Sequence, residues 1–114
     1  MTATELRQII QQRWKYSYDV QLRKIQSGKA QGKIFLQVMW RFQEQASFPL
    51  TEGEYLDHLT KITTYLNEWG VTDQVRTALL TTKDKPRLGK VVSVPLDLGE
   101  RAVEWFVDWR NNGF

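Results

Sequence analysis

VTDQVRTALLTT, residues 71–82, is the stretch on which the strand count of this chain depends. It admits two readings. Its Val, Ala and Leu residues can wind into a short helix. Its four threonines suit the pleated, half-buried surface of a strand. A strand-like run, VVSVPL, follows a short distance on. That neighbour tips the balance toward a strand, and with it toward a four-stranded sheet.

The flanks are easier to read. Upstream, Thr51 and Glu54 have capping-box spacing, in which a hydroxyl and a carboxylate satisfy each other's free amides. Tyr55, Leu59, Ile62, Leu66 and Trp69 then keep helical spacing up to Gly70, predicting a helix over 52–69. Before it, KIFLQVMWRFQ alternates as a strand does. Ile34, Leu36, Val38, Trp40 and Phe42 share one face, read as core, and Phe35, Gln37, Met39, Arg41 and Gln43 the other. Tyr18, Val20 and Leu22 alternate likewise, so the two strands should pair as a hairpin through the loop at 23–33. A first helix is predicted over 4–15, with Thr2 and Glu5 at its start and Leu6, Ile9, Ile10 and Trp14 along one stripe.

Downstream, KDKPRLGK reads as a turn, and VVSVPL as a strand whose Pro95 lacks an amide and belongs at an edge or a strand end. Asp97 and Glu100 make a third cap-like start, for a last helix carrying Ala102, Trp105, Phe106 and Trp109. The expected order is αββαββα. This is one α+β domain over 1–114, a four-stranded antiparallel sheet with helices mainly on one face. The middle helix, at 1.5 Å per residue, is about 27 Å long and carries the chain back along the sheet. The two basic loops, 23–33 and 83–90, should therefore lie at opposite ends.

Composition narrows the chemistry. With no cysteine, disulfides, thiolate metal sites and Cys nucleophiles are excluded. No apolar run reaches the roughly 18–20 residues of a membrane span, and the start has no signal-peptide core. A soluble protein that is not exported is expected. Residues 1–41 carry eight Lys/Arg against two Asp/Glu, and residues 42–72 one Lys against five acids. Such asymmetry can steer an anionic partner, although solvated faces of differing charge explain it more simply.

Each candidate site has a plain structural alternative. LGK at 88–90 lacks the GxxxxGK[ST] pattern and the following helix of a phosphate loop. Lys83, Lys85, Arg87 and Lys90 nevertheless face only Asp84 in charge, and could hold an acidic protein, a lipid headgroup or RNA. The alternative is a solvated hairpin tip. Asp97, Glu100 and Glu104, with Arg101 beside them, could gather for metal or acid–base work, but a helix cap and a wet face account for them. His58, the single histidine, is expected at the surface or its boundary. Phe35 and Met39, with Tyr18 or Leu22 beside them, would form a half-apolar open sheet face, the kind of patch that marks an interface. No RNP-type motif is present, so binding of RNA on that face is the weaker reading.

The segments KIFLQVMW…EQASFP, EYLDHL and above all KPRLGKVVSVPLDLGER resemble a family of small proteins of cyanobacteria and of plant and algal chloroplasts, classed as a domain of unknown function. The likeness spans about residues 4 to 106. It implies a two-layer α+β fold and a photosynthetic cell, in the cytoplasm or stroma and peripheral to the thylakoid. It brings no catalytic residues with it. The resulting expectation is a non-catalytic interaction or assembly-accessory protein with no cofactor and no metal. It would hold a protein partner through the open sheet face and the 83–90 loop. The alternatives are a nucleic-acid-binding module using the basic loops, and a small-ligand protein or enzyme with a site near Asp97 and Glu100.

Overall fold

A computed structural model describes residues 1–25, 28 and 32–98. Helix α1 (Ala3–Trp14) leads into strands β1 (Tyr18–Lys24) and β2 (Ile34–Phe42). Helices α2 (Glu52–Trp69) and α3 (Thr72–Thr81) follow, then strand β3 (Val92–Leu96). The sheet is antiparallel with the order β1-β2-β3. Over the described residues the order is therefore αββααβ, and the sheet has three strands where four were expected. The last predicted helix, with Glu100, Arg101 and Glu104, lies outside the described residues.

The missing strand is α3. Val71, Val75 and Leu79 are all buried, at the four-residue spacing of one helix face. A strand through the same residues would turn Asp73 and Thr77 to the face of those three. The chain reverses into α3 through a turn built on Gly70, whose φ of 70° is left-handed. Its amide donates to the Asn67 carbonyl, and the Val71 amide to that of Leu66, at 3.2 and 3.1 Å. This is the Schellman pattern, and buried Val71 supplies its apolar contact.

The long middle helix forms as the spacing predicts. Thr51 and Glu54 close both capping-box bonds, at 3.1 and 2.9 Å. Tyr55, Leu59, Ile62, Leu66 and Trp69 are buried. They meet Leu6, Ile9 and Ile10 of α1 and the inner sheet face in one core. That inner face is Val20 and Leu22 of β1, Ile34, Leu36 and Val38 of β2, and Val92, Val94 and Leu96 of β3. Leu22 is thus core, not part of an open face, because it shares its side of the strand with Val20. Trp40 and Phe42 continue the stripe in sequence but are only half-buried. β3 pairs with residues 34–38 of β2, so the end of β2 projects past it. Pro95 sits on the edge strand, where its missing amide costs the sheet nothing.

The free edge of β1 is occupied at its start, over Tyr18 to Val20. The Tyr55 hydroxyl donates to the Tyr18 carbonyl at 2.7 Å, and His58 Nε2–H to the Val20 carbonyl at 2.6 Å. Asp19 Oδ1 accepts from the Val20 amide at 2.9 Å. Helix α2 therefore blunts an edge that would otherwise invite another strand. A second tie joins α1 to α3. Arg76 donates to both Glu5 oxygens, at 2.8 and 3.3 Å, and to Asp73 at 2.6 Å.

Candidate functional site

The loop 83–90 is held at its base and open at its tip. Arg13, in the last turn of α1, donates to the Thr82 carbonyl. Trp14 Nε1 donates to the Asp84 carbonyl at 3.3 Å, and Pro86 is buried. Arg87 and Lys90 then bond each other's backbones at 3.1 and 2.7 Å across Leu88 and Gly89. Gly89 has a φ of 79°, the left-handed conformation that a type II turn requires at this position. Leu88 is 88% exposed at the tip, and Lys83, Lys85, Arg87 and Lys90 are exposed around it. The LGK stretch is a turn.

Beside that loop lies a groove of about 720 Å³. Its lining comes from Arg13 and Trp14 of α1, Tyr18 of β1, Trp40 and Phe42 of β2, Gln45, and Lys85 to Leu88 of the loop. No carboxylate lines it among the described residues. The aromatic groups brace one another. Tyr16 stacks on Phe42 with centroids 4.3 Å apart and planes 13° apart. Tyr18 meets Phe42 edge-on at 5.3 Å. The Arg13 guanidinium lies 5.6 Å from the Trp14 ring centroid, and the Lys15 ammonium 5.3 Å from that of Tyr16. The result is a rigid aromatic surface with cations along it, a combination that suits recognition of anionic and apolar groups.

The other predicted residues do not join this site as a group. Phe35 pairs with Pro95 at the far end of the sheet, and both Phe35 and Met39 are half-buried on the outer face. Met39 lines a smaller groove of about 320 Å³ with Trp40, Arg41 and the Phe48–Leu50 segment. Asp97 follows β3 at the end away from the loop. Its amide donates to Gln74 Oε1 at 3.1 Å and its carbonyl accepts from Gln74 Nε2 at 3.3 Å. The register also places Lys24 and Lys33, at the two ends of the β1–β2 connection, at that end, opposite the 83–90 loop. No cluster of three or more metal-ligating side chains occurs among the described residues.

His58 is half-buried at the boundary, against the Val20 carbonyl and Asp19 of β1. Asp19 Oδ1 stands 3.6 Å from His58 Nε2. Burial pushes the Asp19 carboxyl above its usual range, while His58 and the Val20 amide pull the other way. Burial likewise raises the Tyr55 phenol. Buried Ser17 accepts from Gln11 at 2.7 Å and gives both its amide and its hydroxyl to Glu44 at 2.8 Å. Both constellations have the partners of structural ties.

Sequence reading alone found the loop and missed the groove. Trp14, Trp40 and Phe42 looked like core because they extend apolar stripes. In the structure β2 has nine residues and β3 five, so one end of β2 lies beyond its partner; the longer apolar alternation of KIFLQVMWRFQ against VVSVPL is the sequence counterpart.

These features define a class: a small α+β module which, over the described residues, packs three helices on one face of a three-stranded antiparallel sheet and has a cationic aromatic groove at one end. The chain belongs to the family described as "Domain of unknown function (DUF3067)", whose model matches residues 4–106. It is also similar to the solution NMR structure of the Alr2454 protein from the cyanobacterium Nostoc sp. strain PCC 7120. The identity is 57% and the TM-score 0.80, covering 92% of this chain and 96% of that one. No curated protein matches the chain. No described helix is long and apolar enough to cross a membrane.

Proposed function

We propose that this protein is a non-catalytic interaction module of a photosynthetic cell, an accessory or assembly factor that holds a partner protein at the 83–90 loop and the groove beside it. The observation that carries this reading is convergence. Lys85, Arg87 and a Leu88 that is 88% exposed meet Trp14, Tyr18, Trp40 and Phe42 at one end of the sheet. Trp, Tyr and Arg are the residue types enriched in protein-binding hot spots, and the lysines stand where a polar rim would lie. The outer-face residue Met39 extends the same end of the sheet, whereas Phe35 belongs to the opposite end. The setting this reading takes is the cytoplasm beside the thylakoid; its support is the similarity to a protein of Nostoc, a photosynthetic cyanobacterium. Among the described residues, the cations beside the groove lie at the opposite end of the sheet from Lys24 and Lys33, which favours a protein partner over a nucleic acid.

The test is site-specific photo-crosslinking in cyanobacterial extract. A photoreactive phenylalanine replacing Leu88 should give one discrete protein adduct, identified by mass spectrometry. The same probe at Lys61, exposed on α2, should not. Equal, diffuse labelling from both positions would overturn the reading.

A further inference from the structure

We infer that the groove takes an extended acidic segment of a partner protein that carries one bulky apolar side chain. This rests on the protein-binding reading above and adds the chemistry of the occupant. Charge complementarity comes first. Arg13, Lys85 and Arg87 line the groove without an acid among the described residues, and the loop beside it holds four cations against Asp84. An incoming segment must therefore bring the carboxylates, and the guanidinium of Arg87 is suited to bind one in bidentate fashion.

The aromatic geometry favours a peptide over a nucleic acid. Single strands bind by laying bases on free ring faces. Here Tyr16 and Phe42 already stack on each other at 4.3 Å, Tyr18 stands edge-on to both, and Arg13 lies over Trp14. Such braced rings make the wall of a slot for an aliphatic or aromatic side chain. Leu88, 88% exposed at the rim, adds an apolar contact for the same chain. Acidic residues flanking an apolar anchor would satisfy both halves of the site together.

The experiment selects a random twelve-residue phage-displayed peptide library on the intact chain. Recovered peptides are then measured by calorimetry, with a uridine oligomer and phosphatidylglycerol vesicles as rival ligands. Selection should return Asp/Glu-rich peptides around a Phe, Leu or Trp. Replacing their acids by amides should weaken binding at least about tenfold. The double variant K85E/R87E should do the same, and L88A should weaken binding about threefold. Affinity should fall as salt rises from about 50 to 500 mM. Neutral or basic consensus peptides, an empty selection, or tighter binding of the RNA or the vesicles would overturn the inference. So would unchanged binding by K85E/R87E. Should the Leu88 probe capture a protein while acidic and amide peptides bind alike, this inference fails and the protein-binding reading stands.

Discussion

Lys15 is the one described non-glycine residue with a left-handed φ, at 80°. It closes α1, its amide donating to the Gln11 carbonyl at 2.8 Å. A side chain there costs about 1–2 kcal/mol, and glycine would relieve it at an entropic penalty of about 0.5–1. Lys15→Gly also gives up the ammonium contact with the Tyr16 ring, worth about 0.5 kcal/mol, so the two effects should nearly cancel and leave the urea midpoint and slope unchanged. Ser17 and Glu44 set a pH dependence. Burial raises the Glu44 carboxyl, but the Ser17 amide and hydroxyl outweigh it and leave it below its ordinary value of 4.5. Hydrogen bonds from Arg76 lower Glu5 in the same way. A carboxyl depressed by folding adds stability above its unfolded pKa and loses it as pH falls through the folded one. The chain should therefore weaken as pH drops below about 4.5. Glu44→Gln should flatten part of that loss and cost about 0.5–1 kcal/mol at pH 7, a modest figure because the residue is exposed to screening solvent. Thermal melts of both proteins between pH 3 and 7 would show it; parallel curves would count against the Ser17 tie. Asp19 titrates in the opposite sense, since burial raises it.

At the scale of the element, α3 shows packing overruling local preference. Its three threonines, Thr72, Thr77 and Thr81, each cost about 0.5 kcal/mol against alanine in a helix. Burying Val75 and Leu79 returns about 1.5–3 kcal/mol apiece. The side-chain hydroxyls also find local acceptors: Thr81 donates to the Thr77 carbonyl at 2.7 Å and Thr72 to Asn67 Oδ1 at 2.8 Å. Two substitutions separate helix from strand. Leu79→Ala should cost about 2–4 kcal/mol. Thr77→Ala, at an exposed helical position, should add about 0.3–0.5 kcal/mol. A strand would instead lose stability from the second change. Threonine content and the β-like neighbour favour a strand over 71–82, and the 71, 75, 79 spacing, equally legible in the sequence, favours the helix that forms.

Across the whole molecule, helix and loop are coupled through Arg13. Its bond to the Thr82 carbonyl seats the 83–90 loop against α1 and shapes one wall of the groove. Arg13→Ala should leave the core intact and release the loop. Exchange of the Lys90 amide, which donates to the Arg87 carbonyl, should then speed up about three- to tenfold, as expected for one lost hydrogen bond. Unchanged exchange would mean that Pro86 and the turn hold the loop unaided. The site was half legible for the same reason that the loop needs α1. Charge in a turn can be read from neighbours in sequence. Its meeting with Trp14, Tyr18 and Phe42 depends on strand register.

The sequence by itself determined the α+β class, α1, α2, the hairpin, the edge strand with Pro95 and the turn at Gly89. Each is written in the spacing of apolar residues or in a backbone requirement within a few positions, and local rules suffice to read it. Only the tertiary structure decided that 71–82 joins the helical layer, that Trp40 and Phe42 leave the core to line a groove, and that His58 caps the edge of β1. Those outcomes rest on surfaces brought together from distant parts of the chain. Burial there is worth several kcal/mol, more than the few tenths by which a local preference differs.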